Sequence, residues 1–431
     1  LVEVLKDQIV FIAYYPKSNI FSFNAIIAAA ESIRELEDFP IYLARSIERL
    51  FNIIRSKLVK DNTVLVGISF FTTQIWSTYH LITLLRNEFD KKVTIIAGGP
   101  HPTGDPIGTL NMGFDLVVIG EGEATFIDIL KKAKEGNILE NIEGTCYKNS
   151  NNEVRLTERL DLVDLDLYPA LPVKHNLFGS IEITRGCPFA CNFCQNSYMF
   201  GMNPRHRSIE SICETITIMK RVNKTDIRFI TPNAFSYGSI DGKTLNLMKL
   251  ENLLKEITKI IKPNGRIFLG SFPSEVRPEH VNFETLSLVK KYGSNDNIVI
   301  GAQSGSQRML NLCNRSHKVE DVYVAVELAR KFNLNVYVDF IFGLPYETDE
   351  DFESTMAVIK DFSKMGAVSH AHSFIPLPNT PFSNFRIKPF KKEMRKRLEQ
   401  LHSRGIVFGD WKNQEQQSIK IAKYFQNKIL D

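Results

Sequence analysis

Residues 64–71 read Val-Leu-Val-Gly-Ile-Ser-Phe-Phe. An unbroken apolar run rich in β-branched side chains suits a strand covered on both faces, as in the interior of a parallel sheet. Parallel neighbours need long crossovers, and helices usually supply them. The surrounding sequence is built that way. Further strands are expected over residues 8–15, 92–97 and 115–119, and helices over 24–36, 77–89 and 123–134. The last helix opens on Glu123 and closes on lysines, as the helix dipole prefers. Residues 1–145 therefore read as an α/β domain with a doubly wound parallel sheet. Ligands of such sheets bind at the carboxyl ends of the strands. Ser69, Thr72, Thr73, Gly98, Gly99, Gly120, Glu121 and Gly122 all fall there.

A chain of 431 residues is too long for one core. After Asn149-Ser-Asn-Asn-Glu153, residues 161–172 keep neither a helical nor a strand period, so 146–174 read as an interdomain linker. A second βα series follows, with strands expected near 179–184, 227–231, 266–270, 297–302, 335–342 and 371–375. Six such units in order predict a partial (β/α)6 barrel over 175–382. Residues 383–431 read as a basic helical extension, with twelve Lys and Arg against five Asp and Glu. A charge run of this kind is a solvated helix face more often than a nucleic-acid surface, so no nucleic-acid partner is expected. No apolar stretch is long enough to span a bilayer and the N-terminus lacks a signal pattern, so the expectation is a cytoplasmic protein without a membrane partner.

Three of the six cysteines crowd into eight positions: Thr184-Arg-Gly-Cys187-Pro-Phe-Ala-Cys191-Asn-Phe-Cys194. Cys146, Cys213 and Cys313 are scattered. The cluster directly follows the first expected barrel strand, at the end where barrel sites are built. Three thiolates at this spacing can hold a [4Fe–4S] cube in one loop and leave one iron without a protein ligand. A structural zinc site would want a fourth ligand at familiar spacing, whereas Cys213 lies on an expected helix and His206 is isolated. A disulfide is disfavoured by the odd count and the reducing compartment.

In these residues the chain resembles the radical S-adenosylmethionine (SAM) superfamily, whose signature is a CxxxCxxC loop with an aromatic residue, here Phe193, before the last cysteine. The resemblance covers about residues 178–381. It implies that Cys187, Cys191 and Cys194 ligate the cluster, that SAM chelates the open iron, and that one electron splits SAM into methionine and a 5′-deoxyadenosyl radical. It also implies SAM contacts at later strand ends. Asn233 stands after the second strand, although the usual Gly-Gly-Glu is absent. Ser271 follows the third, within Gly270-Ser271-Phe-Pro-Ser274-Glu275-Val-Arg277, and Gln303 and Ser304 end the fourth. The fifth carries Ile341 in Asp339-Phe-Ile341-Phe-Gly343-Leu-Pro345-Tyr-Glu347. The sixth ends Ile375-Pro-Leu-Pro-Asn379-Thr380-Pro381, close to the family's PxPGTP.

The order of α/β domain, linker and barrel is similar to that of the cobalamin-binding subgroup. This makes the eight strand-end residues of the first domain expected contacts of a corrinoid. The cobalt-ligating Asp-x-His-x-x-Gly is missing; Tyr14-Tyr-Pro-Lys17-Ser-Asn19 stands in its place, and His101 reads as a loop histidine with ordinary hydrogen bonds. The subgroup implies a cobalamin-dependent radical enzyme that methylates an unactivated carbon of an unknown substrate and is reduced by a flavodoxin or ferredoxin. A cobalamin-linked rearrangement or cyclisation is the nearest alternative. A methylthiotransferase would need a second cysteine set in the first domain, and residues 1–145 hold no cysteine. A non-catalytic corrinoid or redox-sensing module would not need the ordered strand-end motifs.

Overall fold

The computed structural model describes residues 9–60, 62–158 and 161–428. Gln8, the first residue of the first expected strand, lies outside the described residues. The chain divides into two compact units, Leu1–Leu177 with Lys428–Asp431, and Phe178–Asn427.

The first unit is built on strands β1 (Val10–Tyr14), β2 (Ile41–Ala44), β3 (Val64–Ser69), β4 (Val93–Gly98), β5 (Leu116–Val118), β6 (Thr145–Lys148) and β7 (Val154–Thr157). Their order is β2-β1-β3-β4-β5-β6-β7. The first five are parallel and the last two antiparallel. Order 2-1-3-4-5 is that of a doubly wound sheet. Every residue of β3 is buried, as its unbroken apolar sequence requires. Alternate residues serve opposite faces: Phe11, Ala13, Leu65 and Ile96 join Ile27, Phe126 and Leu130 in one core beneath the helices Ile20–Glu31 and Glu123–Lys134.

The structure departs from the sequence reading at β2 and the helix Ile47–Leu58, which were not anticipated. β2 is a half-buried edge strand of four residues, too short and too open to carry a clear period. The expected linker 146–174 is also corrected. Its first part is a hairpin, β6–β7, that extends the sheet, with Cys146 and Tyr147 buried. β7 is exposed along three of its four residues, so no alternation betrays it.

The second unit holds β8 (Ile181–Glu182), β9 (Thr184–Arg185), β10 (Arg205–His206), β11 (Asp226–Ile230), β12 (Arg266–Phe268), β13 (Asn297–Gln303), β14 (Asn335–Phe342), β15 (Val368–Ser373) and β16 (Val407–Phe408). The parallel series runs β8-β11-β12 and β13-β14-β15-β16. The two halves are joined where Val299 N donates to Gly270 O (2.9 Å) and Val276 bridges Ile300. This is the partial barrel expected, with the antiparallel pair β9–β10 flanking the cysteine loop.

Residues 383–431 are more than an appended helix. β16 adds a seventh parallel strand beside β15, and Trp411, at the head of the helix Trp411–Asn427, is 1% exposed. Three of the five basic residues of the run 391–397 are in ion pairs: Lys391 with Asp349, Arg395 with Glu415, Arg397 with Glu353. No helix of the described residues is long and apolar enough to cross a membrane.

Candidate functional site

The cysteine loop begins with a backbone device. Gly186 has φ +89°, and a Cβ there would lie 2.5 Å from the Asn203 carbonyl oxygen, so the turn into Cys187 admits only glycine. Cys187 N donates to Gly201 O (3.1 Å), and the Ser197 hydroxyl donates to Cys187 O (2.6 Å) while accepting from Ala190 N (3.2 Å). Cys194 N closes a turn on Cys191 O (2.9 Å).

Distant residues then pin the loop. Asn192 donates from its backbone N to Cys313 O (3.0 Å) and from Nδ2 to Leu312 O (2.7 Å). Asn314 Nδ2 donates to Phe189 O (2.9 Å), Gln195 Nε2 to Pro378 O (2.9 Å), and Phe382 N to Asn192 O (3.2 Å).

Cys191 lies close enough to Cys187 and Cys194 to raise the pKa of both. Burial pushes Cys194 up to about 12, with Cys191 and Cys187 adding to it, and burial also raises Cys187. Arg315, fully enclosed, directs Nη1 at Cys191 Sγ (3.6 Å) and Nη2 at Gly301 O (2.5 Å). Cys313, remote in sequence, comes beside the loop, and burial with Cys191 nearby pushes it up to about 12. Metal binding at such a set exchanges protons for iron. Three sulfur donors with a guanidinium on one sulfur fit a [4Fe–4S] cluster.

Of the expected SAM contacts, Phe193 and Ile341 pack on one apolar cluster with Met309, Leu344, Phe374 and Phe382. Ser271 is buried with its hydroxyl unpartnered among the described residues, as is Arg315 Nε; both are polar atoms a ligand would satisfy. Gln303 is buried at φ +75°, next to a register shift between β13 and β14. A non-glycine residue held there stores about 1–3 kcal/mol, a feature of functional sites.

Two expected contacts prove to have other duties. Asn233 accepts from Arg277 N (3.3 Å) and directs Nδ2 at His280 Nδ1 (2.5 Å), so both ends of its amide are engaged within the fold. Ser304 accepts from Ser306 N (3.1 Å) and meets Thr355 Oγ1 (3.4 Å), which turns it towards the helix Asp349–Lys364.

Sequence reasoning missed several charged groups of the lumen. Arg277 lies 3.4 Å from the Phe189 ring centroid and donates to Glu279 (2.5 Å) and to the Arg315 carbonyl. Glu275 is raised by the protein packed around it and by Asp339, against the pull of Arg315. Its side chain is nonetheless exposed to solvent. Asp339, His370 and His372 stand together on β14 and β15. The signal available in the sequence was His-x-His on a strand, which places both rings on one face.

In the first unit, Ser69, Gly98 and Gly99 stand at the ends of β3 and β4, and 120–122 follow β5, as expected. Gly99 has φ +96°, and a Cβ would meet Ser69 Oγ at 2.6 Å and Phe70 N at 3.1 Å. A Cβ at Gly120 would meet nothing within 4 Å, leaving that loop open to a bulky ligand. Thr73 is exposed, and Gly122 packs near Ile26. Thr72 is buried against His101 (Oγ1 to Nδ1, 3.2 Å), and Glu121 accepts from Val163 N (2.7 Å). His101 is 0% exposed beside the Phe70 ring, and burial lowers its pKa to about 4. It is a core histidine on the short helix Pro100–Gly104 rather than the loop histidine expected, though its bond to Thr72 is an ordinary one.

Comparison with known proteins matches "Radical SAM superfamily" over residues 181–359 and "B12 binding domain" over residues 43–130. The chain carries a radical SAM domain with a B12-binding domain ahead of it; it is an enzyme whose cofactors are a [4Fe–4S] cluster, SAM and cobalamin. It is 29% identical over 374 residues to the uncharacterized methyltransferase PH0819 of Pyrococcus horikoshii, covering 83% of this chain and 77% of that protein. It is also 29% identical over 294 residues to a tRNA-2-methylthio-N(6)-dimethylallyladenosine synthase of Buchnera aphidicola, covering 65% and 61%. Among solved structures, the radical SAM methyltransferase TsrM of Kitasatospora setae, with cobalamin and a [4Fe–4S] cluster, aligns with TM-score 0.65 at 17% identity, over 88% of this chain and 77% of that one. The cobalamin-dependent radical enzyme OxsB aligns with TM-score 0.66 at 16% identity, over 93% of this chain but only 61% of its own. At these identities the two structures speak for the fold.

Proposed function

We propose that this cobalamin-dependent radical SAM enzyme is a methyltransferase acting on an unactivated carbon, with Cys187, Cys191 and Cys194 holding the cluster and the strand ends of the first unit holding the corrinoid. The observation that carries it is the cysteine loop itself: three thiols gathered by one glycine turn, with an arginine on one sulfur. When bound, the cofactors supply a carbon radical that removes hydrogen from substrate and a methyl group to replace it.

The chain's own residues have distinguishable tasks in this reading. Phe193 and Ile341 give an apolar wall for the nucleoside, and Ser271 and Gln303 offer hydrogen bonds to its polar groups. Asn233 positions Arg277 instead of meeting the cofactor, and Ser304 steadies the turn after β13. Gly98, Gly99 and Gly120 let a corrin ring approach the backbone, with Ser69 and Thr73 at its margin. Thr72, Glu121 and Gly122 shape the loops behind them. A small reductant such as a flavodoxin or ferredoxin would deliver the electron.

The similarity to methylthiotransferases does not extend to their second cysteine set, because the first cysteine here is Cys146, buried in β6. The test is anaerobic turnover in an extract of the host, followed by mass spectrometry. We expect 5′-deoxyadenosine together with a product heavier by about 14 Da, one added methylene. A sulfur-containing increment, or a second [4Fe–4S] centre by iron and sulfide analysis, would replace methyl transfer with methylthiolation.

A further inference from the structure

Along β14 and β15 alternate side chains face the lumen. Ile341 packs with Phe193 near the cysteine loop, while Phe340 meets Phe362 in the helix layer. By the two-residue period Asp339 shares the inner face with Ile341. Asp339 pairs in register with His370, and Ile341 with His372, so both imidazoles share that face. His370 stacks on Phe408 (centroids 4.3 Å, 4°), and Tyr337 packs edge-on against the same ring. The result is an aromatic floor with a polar layer above it.

Three atoms converge in that layer. His370 Nδ1 lies 3.1 Å from Asp339 Oδ1 and 3.1 Å from His372 Nε2, and His372 Nε2 lies 4.0 Å from Asp339 Oδ1. Beside a carboxylate, and with the Gln414 amide as it stands, no pair of neutral tautomers satisfies them. Ser373 N donates to Gln414 Oε1 (2.9 Å), which fixes that amide and directs Nε2 at His372 Nδ1 (3.4 Å). If Nδ1 accepts, His372 carries its proton on Nε2 and points it at His370 Nδ1. That nitrogen must then accept, and it faces the carboxylate lone pair-first. If His370 Nδ1 is protonated for Asp339 instead, His372 must move its proton to Nδ1, against the amide nitrogen.

Turning the Gln414 amide relieves that pairing without a metal, and what points to a cation is the spacing of the three ligand atoms. Ligand atoms of a four-coordinate zinc site stand about 3.3 Å apart, given bonds of 2.0–2.1 Å. The three distances here bracket that value. The rings are also braced as metal-binding imidazoles usually are, His370 by Phe408 and His372 by Gln414.

We propose that Asp339, His370 and His372 ligate a divalent metal ion, zinc or another first-row ion, in the barrel lumen. Three protein ligands leave at least one position open, the arrangement of catalytic rather than structural sites. Both histidine side chains are 30% exposed, so the open position faces the lumen. Its ligand class is an oxygen or nitrogen donor of the substrate, which the ion would anchor above the aromatic floor. The site shares no ligand with the cysteine loop and stands whether or not the methyl-transfer reading holds.

The test uses the full chain with its cluster assembled anaerobically, dialysed against Zn²⁺ and analysed for zinc, iron and sulfide. One zinc per chain is expected beyond the cluster. Binding should weaken about 100-fold or more in His372→Ala and in Asp339→Asn, with iron and sulfide unchanged, since loss of a ligand costs at least what loss of its support does. The zinc should persist in the triple variant Cys187→Ala/Cys191→Ala/Cys194→Ala. Zinc-edge X-ray absorption of the unaltered protein should show two imidazoles and oxygen donors, which decides the matter even if a variant misfolds. No zinc beyond the cluster, zinc retained undiminished by His372→Ala, or a sulfur-rich zinc shell would overturn the proposal.

Discussion

The two units present their strand ends in contrasting ways. In the first, the ends of β3 and β4 are stripped to backbone: Gly99 cannot carry a side chain, and the nearest histidine, His101, is neutral and sealed in the core. In the second, the strand ends are crowded with chemistry: four thiols, two enclosed guanidiniums and a raised carboxyl at Glu275. A large ring held over a flat backbone is selected by shape. A cluster and a sulfonium cofactor are selected by donors and charge. Damage in the first unit should therefore come from adding atoms, and in the second from removing them.

The largest expected effect lies on the removal side. Cys187→Ala, Cys191→Ala or Cys194→Ala should each abolish SAM cleavage, because a two-thiolate cluster is labile and misplaced. Anaerobic chromatography of 5′-deoxyadenosine reads this directly. The same change at Cys146 or Cys213, and at Cys313 despite its closeness, should leave iron content at four per chain. Loss of iron in Cys313→Ala would make that residue part of the ligand set.

Addition comes next. Gly99→Val places a Cβ 2.6 Å from Ser69 Oγ on a backbone at φ +96°. Cobalamin retention by absorbance should vanish while the cluster spectrum is unchanged. A parallel loss of the cluster would mean that the contrast between the units is false and that the substitution unfolds the chain.

Arg315→Met keeps most of the side-chain volume and removes the donor to Cys191 Sγ. SAM cleavage should slow about 10- to 100-fold, the usual cost of an outer partner of a ligand, with a more negative cluster potential and full iron content. An unchanged potential would reduce Arg315 to packing.

The smallest effect concerns Glu347. It accepts from Gly343 N (2.7 Å), its other oxygen is unpartnered among the described residues, and burial raises it to about 8. A carboxyl whose folded pKa lies above its unfolded value binds its proton more tightly when folded. Its contribution is full below the unfolded pKa of about 4.3 and is lost as pH rises through about 8. Glu347→Gln should flatten that decline. Thermal midpoints at pH 5, 7 and 9 should show the variant gaining on the original chain up to about pH 8 and no further. A constant gap would assign the group an ordinary pKa.

What the sequence disclosed follows from how local each signal is. β3, β4 and β14 were readable because their burial is continuous or alternating along one stretch of chain. The cysteine triplet was readable because its ligands fall within one loop. Arg315, Cys313 and Glu275 were not, since each acquires its role only when separate strand ends meet. Asn233 and Ser304 sat at the right strand ends, yet family position could not disclose which way an amide or hydroxyl turns. β7 and β16 escaped because an exposed or two-residue strand leaves no period to detect.

The cysteine loop is contiguous, but its fastenings are not. Asn192 is held by Leu312 and Cys313, and Gln195 by Pro378, residues more than a hundred positions further on. A nascent chain emerging from the ribosome would present all three thiols long before the parts that fix them exist. Iron delivery is thereby ordered in time: sulfur ligands come first, their geometry only after the last barrel strands are made. Factors that load the cluster must accept a nearly finished barrel, and a chain cut before Pro378 would offer them thiols without a mould.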